Sequence, residues 1–178
     1  MGFVANEMVK KIILLFVLDK MEIPLTDNSI TDIITVRNSW MSYMDCKETL
    51  HKLIDVGFIY PTSSSDENTC YNITYEGRDC LSHFFKSIPS SLREQIDNYA
   101  KKNRMEFKKN QEYVGDYYKN IDGSYTAVLR ISAPLEPQHF FEVKIKFPTK
   151  HAALVSVKKW KDNAAHIYET VNEKLTEE

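Results

Sequence analysis

Apolar residues recur every three or four positions near the start of the chain, which is the spacing of a helix with one buried side. This spacing predicts a first helix over residues 5–22. The pattern breaks at Ile23-Pro24, since the residue before a proline avoids helical geometry. A shorter second helix follows, because Thr26 or Asp27 can accept hydrogen bonds from its first amides. Two helices of unequal length therefore open the chain.

A third helix is predicted from about Asp45 to Gly57. Asp45 and Glu48 have the three-residue spacing of a capping box, in which each side chain accepts from a backbone amide near the other. Gly57 suits the end of this helix, because glycine tolerates a left-handed backbone. Polar residues occupy the side opposite the apolar ones. We therefore expect one face of this helix in the core and the other in solvent.

Two short strands and a fourth helix are predicted next. Residues 58–62 and 69–75 are rich in aromatic and β-branched residues and surround a polar tip at residues 63–68. Thr74 or Tyr75 then opens a helix that carries Leu81 and two phenylalanines. The resulting order of three helices, a hairpin and a closing helix is that of a winged helix-turn-helix domain, which we place at residues 1–88.

The second half of the chain predicts a long helix, a small sheet and a last helix. The connecting helix covers residues 89–110, and Asp122-Gly123 suits a tight turn between two strands. Three strands are expected near residues 112–120, 124–133 and 139–147, with a helix to about Leu175 covering their apolar face. The chain is therefore assigned to the α+β class, with an accessory βββα domain at residues 111–178.

Several segments carry a resemblance to known proteins. The stretch GFIYP, followed by a hairpin and then YNITYEGRDCL, is similar to the winged helix domains of PadR and MarR type. With IPLTDNSITDIIT, SIPSSLREQIDNYAKKN and FPTKHAALVSVKKWKDNAAHIYETV, nearly the whole chain resembles a bacterial family of presumed regulators. The second domain of that family is of unknown function. The resemblance implies a cytoplasmic regulator, and it brings no established ligand or catalytic residues.

A winged helix binds duplex DNA by placing its third helix in the major groove and its hairpin near the backbone. Lysine can donate to guanine and glutamate can accept from cytosine, whereas hydroxyl groups can contact phosphates. The candidate DNA-binding residues lie before and on the third helix, at the tip of the hairpin, and in a basic cluster of the long helix. They are Ser42, Tyr43, Lys47, Glu48, Thr49, His51, Lys52, Ser63, Ser64, Ser65, Lys101, Lys102 and Arg104.

Charge argues against strong DNA binding. Residues 1–86 contain eight Lys and Arg against twelve Asp and Glu, a net charge of −4. Neutralisation of phosphates supplies most non-specific affinity, and this part of the chain has few cations for it. A protein-interaction module that keeps the winged fold without binding DNA is therefore a rival interpretation. A third interpretation places a small-molecule effector between the sheet and the last helix, where tyrosines are frequent.

Other function classes find little support in the sequence. The longest apolar run has seven residues, too few to cross a bilayer, and the first residues do not resemble a signal peptide. Three cysteines form no CxxC pair, and no metal site, cofactor motif or catalytic motif is recognisable. We expect a protein that is not an enzyme and forms a homodimer, with the first, the long or the last helix at the dimer interface.

Overall fold

The computed structural model describes residues 5–62, 69–132 and 139–176. The chain divides into two compact units, residues 1–104 and 105–178. This division falls inside the helix that the sequence predicts as a connector.

The first unit begins with helix α1 and a short strand. Helix α1 (Glu7–Met21) is capped by Asn6, whose side chain accepts from the amide of Val9, and strand β1 (Leu25–Thr26) follows. Thr26 caps helix α2 (Asp27–Thr31), as one of the two sequence alternatives requires, and a π-helical segment (Asp32–Arg37) continues it. Neither strand β1 nor the π-helical segment was expected.

The remaining elements of this unit are helix α3 (Tyr43–Asp55), strands β2 (Ile59–Thr62) and β3 (Cys70–Ile73), and helix α4 (Tyr75–Phe84). A 3₁₀ turn (Phe85–Ser87) leads to helix α5 (Ser90–Glu112), which runs across the division between the units. Strand β3 lies between β1 and β2, and both pairings are antiparallel.

Helix α1 is buried on almost every side within its own unit. Ile12 to Leu18 and Met21 are all less than 9% exposed, because α3, α4 and β3 pack around the helix. This burial leaves little apolar surface of the first helix for the dimer interface that the sequence suggested there. The apolar side chains of the helix, apart from Met8 at 44% exposed, are covered inside one copy of the chain.

The second unit contains strands β4 (Tyr113–Lys119), β5 (Tyr125–Ser132) and β6 (His139–Phe147), followed by helix α6 (Lys150–Thr176). The strands form an antiparallel sheet in the order β4-β5-β6. The predicted Asp122-Gly123 turn lies between β4 and β5, and the predicted three-stranded sheet with a C-terminal helix over it is confirmed.

Trp160 anchors α6 on this sheet. It is 2% exposed, its ring stacks on Phe141 with centroids 6.3 Å apart, and its Nε1 donates to the carbonyl oxygen of Arg130 at 3.0 Å. The predicted apolar stripe is buried only as far as Ala164, and Tyr168 extends the contact of α6 with Phe141 by one more turn. Beyond it, Val171 and Leu175 are exposed. A helix of 27 residues is about 40 Å long and passes the end of strands about 30 Å long.

Candidate nucleic-acid interface

Helix α3 begins at Tyr43, two residues before the start predicted from the sequence. Ser42 is its N-cap, and the Ser42 Oγ accepts from the amide of Asp45 at 3.1 Å while donating to the Asp45 carboxylate at 2.8 Å. The predicted capping box of Asp45 and Glu48 is wrong, because Ser42 occupies the cap and Asp45 lies in the first turn. The Lys10 Nζ also contacts Asp45 at 2.5 Å, and bonds from Lys10 and Ser42 lower the pKa of Asp45.

The exposed face of α3 is formed by two rows of side chains. Tyr43 and His51 lie along one row with Lys47 between them, and Met44 and Glu48 form the other, since residues four apart are neighbours on a helix. Tyr43 is 57% and Met44 74% exposed. The end of the helix that would enter a groove first therefore presents a phenol and a thioether.

Thr49 does not belong to this face. Its side chain is 4% exposed and lies on the buried side of α3 with Cys46, Leu50 and Leu53. The sequence analysis placed Thr49 with the polar residues because of its hydroxyl group. The helical geometry instead directs it into the core, so Thr49 is withdrawn from the candidate contacts.

Lys47 is held by an acid on another helix. Its Nζ forms an ion pair with the Asp27 carboxylate, and it also lies 5.8 Å from the centre of the Tyr43 ring. The hydrogen bond to Asp27 raises the pKa of Lys47, so the ammonium group stays charged at neutral pH. The pair orients this cation across the exposed face of α3.

Lys52 has two acidic partners. Its Nζ lies 2.7 Å from the Glu48 carboxylate, one helical turn earlier, and 2.9 Å from the Glu7 carboxylate on α1. Hydrogen bonds to Glu48 and Glu7 raise the pKa of Lys52, and the bond to Lys52 lowers the pKa of Glu7. Both lysines of α3 that were predicted to contact DNA, Lys47 and Lys52, are thus paired with acids within the chain.

These ion pairs do not lock the cations in place. The side chains of Lys47 and Lys52 are 28% and 36% exposed, and such surface pairs contribute only about 0–1 kcal/mol each. A phosphate or a base that approaches α3 can therefore replace Asp27 or Glu48 as the partner at small cost. The cations of this face are paired with acids in the isolated chain, but they remain available to a ligand.

The hairpin is described at its base only. Ser63, Ser64 and Ser65 lie outside the described residues. At the base, the Thr62 Oγ1 donates to the carbonyl oxygen of Cys70 at 3.0 Å, and Tyr60 is 42% exposed. This hydrogen bond therefore joins the two strands at the base of the hairpin, where the ring of Tyr60 is exposed.

The basic cluster on α5 also carries internal ion pairs. The Lys101 Nζ lies 2.5 Å from Asp97, and the Arg104 Nη1 lies 2.8 Å from Glu22. Lys102 is exposed. The acidic partners of Lys101 and Arg104 lie on α5 and directly after α1, not on α3. These contacts do not join the cluster to the α3 face.

A groove of about 500 Å³ lies in the first unit and was not predicted. Phe16, Leu81 and Phe85 give it an apolar floor, while Arg78 and Arg93 lie among acids of α1 and α5. The sequence analysis instead placed an effector between the second sheet and its helix. There, Trp160 and its neighbours fill the described interior.

The part of the chain that the structure describes contains neither a metal-ligand cluster nor a membrane-spanning helix. No cluster there combines three or more His, Cys, Asp or Glu side chains that could hold a metal ion, and no helix there has the length and apolar character needed to cross a bilayer. No disulfide joins Cys46, Cys70 and Cys80, and burial raises the pKa of the Cys46 thiol to about 11.

Sequence analysis missed three features of this interface. Met44 was overlooked because the helix was expected to begin after it, although the Ser42–Asp45 spacing could have shown the true start. Val36, which is 74% exposed near the end of the π-helical segment, was not singled out as a contact residue because it falls in the segment expected to form the second helix. Asp27 is twenty residues from Lys47, and no local pattern links the two.

Comparison with known proteins gives a family and nothing further. A search of curated proteins found no match, and a search of solved structures found none either. The family model described as a domain of unknown function, DUF4364, matches residues 10–175. This match covers nearly the whole chain, which therefore belongs to the DUF4364 family.

Proposed function

We propose that this chain is a cytoplasmic, DNA-binding transcriptional regulator of the bacterial winged-helix type. In this proposal, α3 enters the major groove of duplex DNA, the β2–β3 hairpin lies at the backbone, and two copies bind together. The order α1-β1-α2-α3-β2-β3, with β1 paired to β3, supports the winged-helix assignment. PadR and MarR domains are the types that the sequence resembles.

The observation that carries the proposal is the exposed face of α3. The helix is capped, packs on α1 through one side, and presents Tyr43, Lys47, Glu48 and His51 on the other. Lysine and glutamate can read guanine and cytosine respectively in the major groove. In the proposal, Ser42 and Tyr43 approach phosphates at the start of the helix, where the helix dipole favours anions.

The charge balance makes the proposal quantitative. Each phosphate contact made by a cation contributes about 0.9 to the slope of log affinity against log salt. The described face of α3 offers Lys47 and Lys52, so we expect a shallow slope and weak binding to non-specific DNA. Contacts with base edges then supply most of the difference in affinity between specific and non-specific DNA.

The test measures binding to duplex DNA by fluorescence anisotropy over a range of salt concentrations. The Lys47→Ala/Lys52→Ala double variant should lose affinity, and the salt slope should fall by about 0.9 for each of these lysines that contacts a phosphate and not a base. A matched control is Lys158→Ala/Lys159→Ala, which removes the same charge from the exposed side of α6. Equal losses of DNA affinity in both variants would show that only the total charge of the chain matters. That result would contradict the proposal that α3 reads the DNA sequence.

A protein-interaction module is the second candidate function, and one observation favours it. Val36, Tyr43 and Met44 are more than half exposed in and around the start of α3, while the lysines of that helix are paired with acids. An apolar start of this kind suits a protein surface better than a phosphate backbone. Two results together would establish this alternative. The chain would show no measurable affinity for DNA at low salt, and it would bind a partner protein that is lost when Tyr43 is replaced.

A further inference from the structure

Strand β6 is a long edge strand with one side unpaired within its sheet. Its nine residues pair with β5 only, because the sheet order is β4-β5-β6. Exposed edges of this length can recruit other strands, and natural sheets usually shorten, cover, bend or charge them. Among the described residues, the irregularity in its pairing with β5 lies at Ile131/Ser132, near the start of β6, and its centre pairs regularly.

The apolar side of β6 is incompletely covered by its own chain. Phe141 packs against Trp160, but Ile145 on the same side is 39% exposed and Val143 is partly exposed. The buried residues of α6 and the sheet centre on β5, where Ala127 and Leu129 meet the helix. The edge strand therefore brings both unpaired backbone and uncovered apolar surface to the same place.

The opposite side of β6 alternates in charge about the middle of the strand. Glu142 and Lys144 flank Val143, with their side chains on the side away from α6. The Glu142 carboxylate lies 2.7 Å from the Arg130 Nε and 3.1 Å from the Lys144 Nζ. An acid and a base placed symmetrically about one residue make a strand complementary to an antiparallel copy of itself.

We propose that β6 is the dimer interface of this protein and that its partner is β6 of a second copy. A two-fold axis through Val143 places each Glu142 opposite Lys144 of the other chain. It also places each Phe141 opposite Ile145, on the side that faces α6. Opposite charges and apolar pairs directly across an antiparallel ladder are both stabilising. The result is a continuous six-stranded sheet that removes the β6 edge.

Charge selects this register over its neighbours. In an antiparallel pair, side chains that lie opposite one another are on the same face of the sheet. The two neighbouring registers therefore place the two-fold axis through Glu142 or through Lys144. An axis at Glu142 opposes two glutamates, and an axis at Lys144 opposes two lysines, which is destabilising in either case. The other edge, β4, is disfavoured for the same reason, because an axis at its central residue opposes Asp116 to itself.

This inference deepens the proposed function, since it rests on the homodimer named there and assigns its surface. Its test uses the full chain without DNA, so that failure of the interface and failure of DNA binding can be told apart. Sedimentation equilibrium gives the dissociation constant of the dimer, and circular dichroism checks that each variant is folded.

Lys144→Glu should weaken the dimer by about tenfold or more, because each of the two cross-strand pairs becomes repulsive. Glu142→Lys should weaken it similarly. The combined Glu142→Lys/Lys144→Glu variant restores opposite charges across the axis and should return the dissociation constant to within about threefold of the wild type. Lys146→Glu is the matched control, because it makes the same charge change on the same strand outside the proposed pairs.

Three results would overturn the proposal: a wild-type chain that stays monomeric at tens of micromolar, a dimer indifferent to Lys144→Glu, or a charge swap that restores nothing. A loss in Lys146→Glu as large as that in Lys144→Glu would overturn the register, since an axis at Lys144 would pair Lys146 with Glu142.

A cross-link tests the axis without altering charge. Residues opposite one another in an antiparallel pair have Cα atoms about 4.5–5.5 Å apart, within reach of a disulfide. Val143→Cys should therefore form a covalent dimer under mild oxidation. The control Tyr118→Cys, at an exposed position of the other edge strand, should yield no more covalent dimer than the wild-type chain with its native cysteines. Equal yields at both positions would contradict the proposed axis.

Discussion

Gly77 lies where α4 crosses the base of the hairpin, and replacing it with alanine tests that packing. A Cβ atom at residue 77 would lie 2.3 Å from the carbonyl oxygen of Phe58 and 2.9 Å from Cγ1 of Ile73. The Phe58 carbonyl is held in place, since it accepts from the Thr74 amide at 2.9 Å and from the Thr74 hydroxyl at 3.1 Å. The obstacle is therefore fixed backbone and not a flexible side chain.

Two effects of Gly77→Ala oppose each other. Alanine is favoured over glycine inside a helix by about 1 kcal/mol. Overpacking typically costs about 1–3 kcal/mol, and a shift that breaks a Thr74 bond adds about 0.5–1.5 kcal/mol. The steric term is larger because the contact distance is far below any van der Waals separation. We expect a net loss of about 1–3 kcal/mol in the free energy of unfolding.

Urea unfolding, followed by circular dichroism and tryptophan fluorescence, measures this change. Ser82→Ala is the control, because it lies at an exposed position of the same helix and should change the free energy of unfolding by less than about 0.5 kcal/mol. If Gly77→Ala is as stable as this control, then α4 does not pack on the Phe58 carbonyl as described.

Three further predictions concern caps, packing and pH. Ser42→Ala should lower the free energy of unfolding by about 1 kcal/mol in urea, because it removes the cap of α3; an unchanged value would contradict the cap. Trp160→Ala should cost about 3–5 kcal/mol by the same assay, since it empties the centre of the second sheet's core; a cost below 1 kcal/mol would contradict that packing. Bonds from Lys146 and Ser124 lower the pKa of Asp122 below 3.8, so its contribution to stability is present above about pH 4 and is lost as the pH falls through the lower, folded value. Asp122→Asn should therefore flatten the acid side of the curve of urea midpoint against pH; an unchanged curve would refute this assignment.

Local patterns predicted the helices and strands well, because each is set by nearby residues. Thr26 caps α2 through its own hydroxyl, and Gly57 ends α3 with a φ of 75°. The errors arose where two local signals competed. Ser42 and Asp45 both suit a cap and each has an acid three residues later, and the structure uses the Ser42–Asp45 pair and not the Asp45–Glu48 pair. The two-residue strand β1 is too short to give any periodic pattern, and it exists because β3 pairs with it.

The candidate interface depends on contacts that no local pattern reveals. Lys47 meets Asp27 and Lys52 meets Glu7 only after α1, α2 and α3 have packed together. The net charge of the first domain indicated weak electrostatics, but it could not show which cations are paired. Thr49 is different, since it lies three residues after Cys46 and four before Leu53, and this helical spacing already assigns it to the buried side.

The central claim is that this protein binds specific sites in duplex DNA. The most direct measurement is capture of sheared genomic DNA by the purified full chain at about 100 mM salt, followed by sequencing of the recovered fragments. The proposal predicts enrichment of a few discrete sites that share a two-fold symmetric motif, and loss of that enrichment in the Lys47→Ala/Lys52→Ala variant. Recovery no better than that of beads alone would contradict DNA binding and would favour the protein-interaction alternative.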